Sequence, residues 1–215
     1  MILSFSQLNT YLSCPRSYYL KYLLKLKAPI TSPWLVFGSK IHNMLSNNIF
    51  ESEDPVEYQM LQRGKKFLES MPDNPIHETS YNDAANPCRF YGDIFGNRTV
   101  GIFDVFWEPE VCRGADFKTG SMYKTYVDHF EMQAYILNQL FKQKYDSNLK
   151  AFYFKFLKDD SIYQPKCLND EKVSKKIEKS IKNILFNIEE GNYPKKCGKL
   201  CEKCDMNCFC SDESL

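Results

Sequence analysis

The stretch from Val100 to Gly120 constrains the chain most, because it places carboxylates inside runs of apolar residues. Both Asp104 and Asp116 have apolar residues on either side. Beta-branched and aromatic runs, broken at Glu108-Pro109 and ended by Thr119-Gly120, predict two adjacent strands joined by a short turn. A carboxylate that is buried in such a strand without a partner is costly. A divalent metal ion would supply that partner.

The spacing of the charged residues fits metal-assisted chemistry. Two carboxylates on neighbouring strands can hold Mg2+ or Mn2+, which prefer oxygen ligands. Because side chains alternate along a strand, Asp116 and Lys118 point to the same face. Lys118 would then orient an attacking water or stabilise charge on a phosphate, and the main-chain carbonyl of Phe117 is a further candidate ligand. A solvent-exposed hairpin with ordinary charges is the plainer interpretation, since Asp-x-Lys triplets are common.

The composition indicates a globular protein of one domain. The 215 residues are 43% hydrophobic and 15% aromatic, which is enough for a core. The chain begins without the basic and apolar regions of a signal peptide, and no apolar run could span a bilayer. We therefore expect a cytoplasmic protein, in the host cytoplasm if the chain is viral. A net charge of +1 means that any contact with nucleic acid must come from locally clustered basic residues.

Nine cysteines are many for an intracellular chain, and five of them lie in the last 19 residues. In a reducing compartment such crowding indicates a metal site rather than disulfides. Cys201 and Cys204 have the spacing of a common metal-binding knuckle, and Cys210 follows five residues later. A zinc knuckle made from the tail alone is one interpretation.

Hydrophobic periodicity predicts helices and strands around these sites. Two helices are expected within residues 4–27, interrupted at Cys14-Pro15-Arg16, where the proline suits the first turn of the second helix. A helix over residues 35–50 would carry His42. The remaining predicted helices cover residues 55–71, 126–145 and 169–190, and the remaining predicted strands cover residues 76–82, 88–95 and 150–157.

Three short sequences occur along the chain in an order that resembles one enzyme superfamily. They are Gly38-Ser39-x-x-His42-x-x-Leu45, then Asp104, then Asp116-Phe117-Lys118-Thr119-Gly120. This arrangement is similar to the active-site motifs of the PD-(D/E)xK nucleases, in particular the RecB-type branch. The resemblance implies that His42, Asp104, Asp116 and the Phe117 carbonyl bind Mg2+ or Mn2+, and that Lys118 activates water. It also suggests Glu78 as an auxiliary acid.

The chain departs from the RecB-type pattern on the helix after this stretch. That branch carries Gln-x-x-x-Tyr there, whereas this chain has Glu131 four residues before Tyr135, and Gln133 two residues before it. Residues four apart share a helix face. We therefore predict that Glu131 and Tyr135 face the site, with Gln133 as the alternative.

The first residues resemble RecB-type nucleases that hold an iron–sulfur cluster. The quoted sequence is Ser4-x-Ser6-x-Leu8-x-x-Tyr11-x-x-Cys14-Pro15-Arg16-x-Tyr18. The resemblance implies a 4Fe-4S cluster, which requires four thiolates. The implied ligands are Cys14, Cys201, Cys204 and Cys210. Such a cluster would join residues 1–27 and 191–215 into one cluster-binding region of a single nuclease domain, residues 1–215. Zinc is the alternative occupant, and Cys197 and Cys208 are spare cysteines that could substitute as ligands.

Together these features predict an α/β fold. We expect a central mixed β-sheet flanked by helices, as in a restriction-endonuclease-like core, with the cysteine-rich C-terminal region packed on the N-terminal helices. The implied function is a metal-dependent deoxyribonuclease, an exonuclease on single-stranded DNA or duplex ends that could also cut internally. It would be of the CRISPR-associated type or phage-encoded, with protein partners in DNA recombination or CRISPR adaptation.

Two alternatives stay open at this point. One is a DNA-end-binding or adaptor module with a structural cluster and weak or lost cleavage, which Glu131 in place of glutamine would favour. The other is a zinc-dependent regulatory binder in which the cysteine tail acts as an independent finger.

Overall fold

The computed structural model describes residues 2–29, 32–72, 74–79, 85–107, 111–198, 201–202 and 204–210. The strands are β1 (Leu3–Ser4), β2 (Ile76–His77), β3 (Arg89–Ile94), β4 (Asn97–Ile102), β5 (Val105–Trp107), β6 (Arg113–Lys118), β7 (Ala151–Phe156) and β8 (Ile162–Tyr163). The helices are α1 (Phe5–Ser13), α2 (Pro15–Tyr18), α3 (Pro33–Ser46), α4 (Pro55–Glu69), α5 (Val127–Tyr145), α6 (Glu171–Glu189) and α7 (Asn207–Cys210). A π-helical turn (Tyr19–Leu23) continues α2, and a 3-10 turn (Lys124–Tyr126) precedes α5.

The predicted helices are confirmed, with small changes at their ends. Pro15, Pro33 and Pro55 each lie in the first turn of a helix. Backbone N–H groups in that turn have no partner within the helix, so proline, which lacks the N–H, costs no hydrogen bond there. Asp54 and Asp170 cap α4 and α6 by accepting bonds from the first free backbone N–H groups. The local sequence therefore sets where these helices begin.

A five-stranded mixed sheet carries Asp116 on its central strand. The strand order is β2-β5-β6-β7-β8. Strands β6 and β7 run parallel, and the other neighbours are antiparallel. A parallel pair needs a crossover connection, which α5 provides between β6 and β7. The mixed α/β class is thus confirmed, and the arrangement fits a restriction-endonuclease-like core.

A second sheet of three strands corrects one sequence prediction. The order is β1-β4-β3, with β1 parallel to β4. The stretch that was expected to form two strands of one sheet instead changes sheets between Ile102 and Val105. The buried Phe103 sits at this change, its N–H donating to the Cys88 carbonyl and its ring packing against Phe90. Asp104 therefore lies in a bend between strands, and the predicted turn at Glu108-Pro109 falls outside the described residues.

The predicted strand over residues 76–82 is shorter in the structure. Only Ile76–His77 pairs, antiparallel to β5, and residues 80–82 lie outside the described ranges. The strands predicted over residues 88–95 and 150–157 are confirmed as β3 and β7.

Helix α5 packs against the three-stranded sheet at glycines. A Cβ at Gly101 would lie 2.8 Å from side-chain atoms of both Leu137 and Leu140, closer than packed carbon atoms approach. The absent side chain lets the helix lie directly on the sheet and brings its Gln133 end over β6. Of the two buried apolar clusters among the described residues, this packing forms the larger, and the smaller one lies between α3, α4 and strands β5 and β6.

The two ends of the described chain pack on each other. Tyr11 Oη donates to the Asn192 carbonyl at 2.6 Å, and the Arg16 N–H donates to the Pro194 carbonyl at 3.3 Å. Tyr193 stacks on the rings of Tyr18 and Tyr19. The segment after α6 is therefore held against the N-terminal helices. Among the described residues, no helix combines the length and apolar content needed to cross a membrane.

Candidate active site

Asp104 and Asp116 lie side by side, although Asp104 is in a bend and Asp116 is in a strand. Asp116 is buried in β6, whereas Asp104 precedes β5. Strands β5 and β6 are antiparallel with Val105 opposite Ala115, so the next position along places Asp104 opposite Asp116. The Phe117 N–H donates to Asp104 Oδ2 at 2.6 Å. This bond fixes the first acid against the strand that bears the second.

His42 reaches the pair from α3. Its Nδ1 lies 3.3 Å from Asp104 Oδ2. Burial alone would lower the pKa of His42, but the neighbouring Asp104 carboxylate outweighs burial and raises the pKa to about 9. Burial likewise opposes ionisation of Asp104, and the His42 charge nevertheless holds the pKa of Asp104 below its usual value.

Lys118 lies beside Asp116, as alternation along the strand predicts. Its Nζ is 2.6 Å from Asp116 Oδ1 and 5.5 Å from the centre of the Phe154 ring. Burial raises the pKa of Asp116 despite the lysine charge, and the nearby Asp104 carboxylate adds to the increase. Asp116 is thus a carboxylate whose ionised form needs further positive charge.

Gln133 on α5 completes this group. Its Nε2 donates to Asp116 Oδ2, and its Oε1 accepts from Lys118 Nζ at 3.2 Å. One amide therefore contacts both members of the Asp-x-Lys triplet. Gln133 was the alternative in the sequence prediction, and the structure places this residue rather than Glu131 at the site.

The prediction that Glu131 and Tyr135 face the site does not match this structure, which places both side chains on the other side of α5. Successive helical residues turn by about 100°, so the residues two positions before and after Gln133 point to the opposite side of α5. Glu131 accepts hydrogen bonds from Tyr163 Oη and, at 2.8 Å each, from the N–H groups of Lys166 and Cys167.

Tyr135 is 5% exposed within the larger apolar cluster. Burial and the nearby Glu178 and Cys167 raise its pKa to about 12. The pair does share one helix face, as predicted, but that face packs against β8 and α6. The face of α5 that meets the acids carries Gln133, Ile136 and Leu137, which line the cleft described next. Their helical spacing is the sequence signal for this face.

Glu78, the suggested auxiliary acid, lies at the same cleft. Its N–H donates to the Asp104 carbonyl at 3.0 Å, and its Oε1 accepts from Asn86 at 3.4 Å. Burial, followed by repulsion from Asp104, raises the pKa of Glu78 to about 7. A cleft of about 290 Å³ exposes all of these polar groups together: His42, Glu78, Asp104, Asp116, Lys118 and Gln133.

The donor set of this cleft suits a hard divalent cation. Three carboxylates line it, and the buried Oδ1 of Asp116 contacts the Lys118 Nζ at 2.6 Å. A buried oxygen of this kind is a natural ligand for Mg2+ or Mn2+. In the ranges described, no three His, Cys, Asp or Glu side chains already stand in metal-ligating geometry. The carboxylates here are engaged instead by Lys118, His42, Gln133 and the Phe117 N–H.

A second cavity gathers cysteines from both ends of the described chain. It measures about 270 Å³ and is lined by Cys14, Cys197, Cys201, Cys204 and Cys210, together with Lys195 and Lys196. Burial raises the pKa of the Cys210 thiol, and Cys14, Cys197 and Cys204 add to the increase. All four cysteines named by the sequence pattern therefore border one space, and Cys197 joins them, whereas the spare Cys208 is exposed and does not line it.

Comparison with protein families identifies one match. The family model described as the PD-(D/E)XK nuclease superfamily matches residues 2–84 and 89–211. These ranges contain Asp104, the Asp116-Phe117-Lys118 triplet and the cysteines of the second cavity. A comparison with curated proteins returned no match.

Proposed function

Because the chain belongs to the PD-(D/E)XK nuclease superfamily, we propose that it is a metal-dependent deoxyribonuclease, an exonuclease that hydrolyses phosphodiester bonds of single-stranded DNA or at duplex ends. The observation that carries this proposal is the pairing of Asp104 with Asp116 across β5 and β6, with Lys118 beside the second acid. Two carboxylates and a lysine at one cleft are the groups that phosphodiester hydrolysis uses.

The residues divide the work by position. Asp104 and Asp116, with the Phe117 carbonyl and His42, would hold Mg2+ or Mn2+. When bound, the ion supplies positive charge that polarises a phosphate and stabilises the leaving oxygen. Lys118 orients the attacking water and compensates charge on the phosphate. Gln133 keeps Asp116 and Lys118 in place through its two hydrogen bonds.

A cleavage assay with three DNA forms tests the proposal. The substrates are an end-labelled single strand, a blunt end-labelled duplex and a circular single strand, each with Mg2+, Mn2+ or EDTA. We expect metal-dependent release of short products from the linear substrates. Slow cutting of the circle would reveal additional endonuclease activity.

The decisive variant is Asp116→Asn, which keeps the size of the side chain but removes its charge. Asp128→Asn is the matched control, because Asp128 is an exposed acid that pairs with Lys176 on the surface. We expect the control to cut like the wild type and Asp116→Asn to be inactive. Equal cleavage by both variants, or no metal-dependent cleavage by the wild type, would overturn the proposal.

We also propose that the second cavity holds a 4Fe-4S cluster ligated by Cys14, Cys201, Cys204 and Cys210. Four thiolates are the usual ligand set of such a cluster. The common cavity supports this assignment, because Cys14 borders the same space as the tail cysteines. The cluster would then join residues 1–27 and 191–215 within one domain. Zinc bound by thiolates is the alternative occupant, and Cys197 is the alternative fourth ligand.

A cluster at this position would place the chain in the RecB-type branch, as a CRISPR-associated or phage-encoded enzyme. The competing function, an adaptor that binds DNA ends without cutting, was suggested by Glu131 in place of a glutamine. The contacts do not favour this alternative, because Gln133 donates to Asp116 at the cleft. Glu131 instead accepts a hydrogen bond from the Cys167 N–H, away from the cleft.

A further inference from the structure

Trp34 in the first turn of α3 is unusually exposed for its size. Its side chain is 81% accessible, and the neighbouring Leu35 and Val36 are each 58% accessible. Exposed apolar patches of this kind usually mark binding sites for a ligand or another macromolecule. The second tryptophan of the chain, Trp107, shows the contrast, since it is 1% exposed and its Nε1 donates to the Pro72 carbonyl.

The position of Trp34 relates it to the candidate active site. Trp34 and Leu35 line a cleft of about 510 Å³ that is also lined by His42, Glu78 and Thr119. His42 and Glu78 line the cleft of the two acids as well, so the two clefts adjoin. Trp34 precedes His42 by eight residues on one helix, a rise of about 12 Å. A polymer seated at the acids could therefore extend a short distance and reach the indole.

The chemistry of the Trp34 cleft favours an unpaired nucleotide. Its lining is mainly neutral, with the side chains of Ser39, Asn43 and Thr119 able to donate hydrogen bonds to sugars and phosphates. His42 and Glu78 are its titratable members among the described residues. A flat indole face stacks on any base, but only when that base is not already stacked within a duplex.

From this geometry we infer that Trp34 is a stacking platform for a base of single-stranded DNA whose scissile phosphate is hydrolysed at the cleft of Asp104 and Asp116. The inference rests on the proposed nuclease function and narrows its substrate to DNA with an unpaired base beside the cleavage site. Trp34 would act in binding and not in the chemical step. A protein partner covering the same patch is the competing explanation, and the test separates the two.

Intrinsic fluorescence offers a direct measurement, because the chain contains two tryptophans and Trp107 is buried. In an Asp116→Asn background, which prevents cleavage, we expect a thymidine 12-mer to quench emission, and we expect no quenching after Trp34→Ala. Anisotropy with a labelled single strand should show affinity falling about tenfold in Trp34→Ala, with Trp34→Phe retaining most of it. Affinity for a blunt duplex should be unchanged.

Phe186→Ala is the matched control, because Phe186 is 59% exposed on α6 and does not line either cleft. It should bind like the parent protein. Unquenched emission, unchanged single-strand affinity in Trp34→Ala, or equal losses for single strand and duplex would each overturn the inference and leave the patch to a protein partner. Metal-dependent cleavage with wild-type KM in Trp34→Ala would overturn it while supporting the nuclease. Base stacking without any cleavage by the wild type would support the platform and overturn the nuclease.

Discussion

The side-chain amide of Gln133 donates to Asp116 Oδ2 and so links helix α5 to the central strand β6. The same amide accepts from Lys118 through its oxygen. A neutral side chain thus orients the acid and the base of the triplet without adding charge to a cleft that already holds three carboxylates. A glutamate at this position would instead repel Asp116.

Removing the amide should impair cleavage without unfolding the protein. In Gln133→Leu, Asp116 and Lys118 lose their common partner, and groups that orient metal ligands typically contribute 10- to 100-fold to activity or metal affinity. We expect kcat to fall by about that factor, measured with the end-labelled single strand over a range of Mn2+ concentrations. Gln143→Leu, at an exposed position of the same helix, should cut normally. Wild-type kinetics in Gln133→Leu would contradict the assigned role.

Glu131 should matter for stability and not for chemistry. Its buried carboxylate accepts from Tyr163 and from two backbone N–H groups, and Glu131→Ala leaves these donors unsatisfied. The free energy of unfolding should fall by about 3 kcal/mol, measured by urea denaturation. Glu171→Ala, which loses only an exposed pair with Lys175 in the first turn of α6, should change it by about 1 kcal/mol or less. A stable Glu131→Ala protein that has lost cleavage would return Glu131 to the active site.

The pairing of Lys155 with Asp160 should make part of the stability depend on acid pH. The Lys155 side chain is 5% exposed, and its hydrogen bond is the main cause that lowers the pKa of Asp160 below the usual 3.8. A carboxylate with a depressed folded pKa stabilises the protein above its unfolded pKa. That contribution is lost as the pH falls through the folded pKa.

The matched variant is Asp160→Asn, because asparagine tolerates the positive φ of 61° at this position. At pH 7 we expect a loss of about 1 kcal/mol, since almost half of Asp160 is exposed and solvent screens the pair. Urea titrations at several pH values should show this difference constant above about pH 5 and shrinking below pH 4. A difference that persists unchanged to pH 2 would show that the charge of Asp160 is not responsible.

Replacement of Cys14 should test the proposed link between the chain ends. In anaerobically purified Cys14→Ser, we expect loss of iron and acid-labile sulfide, and a decrease in Tm. If the link constrains the unfolded chain as a cross-link does, its loss costs about 3 kcal/mol, or roughly 10 °C for a chain of this size.

Cys208→Ser is the control, because Cys208 is exposed and outside the cavity. It should keep both the cluster and the Tm. Full metal content in Cys14→Ser would indicate a metal site made by the tail cysteines alone. Zinc without acid-labile sulfide in the wild type would indicate a zinc knuckle instead of an iron–sulfur cluster. If Cys197, the fifth cysteine lining the cavity, is a ligand, the Cys197→Ser protein should lose the metal as well.

The sequence predicted the helices well because their signals are local. Prolines at first turns, capping aspartates and apolar spacing each act within a few residues, and α3, α4 and α6 form where these signals stand. The change of sheet at Asp104 was missed because it depends on Phe103 packing against Phe90, a contact with another strand. The sequence pattern of an apolar strand does not indicate which of two sheets the strand joins.

The sequence by itself determined the residue types of the site and the common face of Asp116 and Lys118, because alternation along a strand is a property of the backbone. It also determined that Glu131 and Tyr135 share a helix face. Only the tertiary structure decided which face of α5 meets β6. That choice follows from how the helix lies over Gly101 and its leucines, and it puts Gln133 at the acids and Glu131 against β8. The gathering of Cys14 with the tail cysteines was decided in the same way, since residues so far apart in sequence meet only through packing of the chain ends.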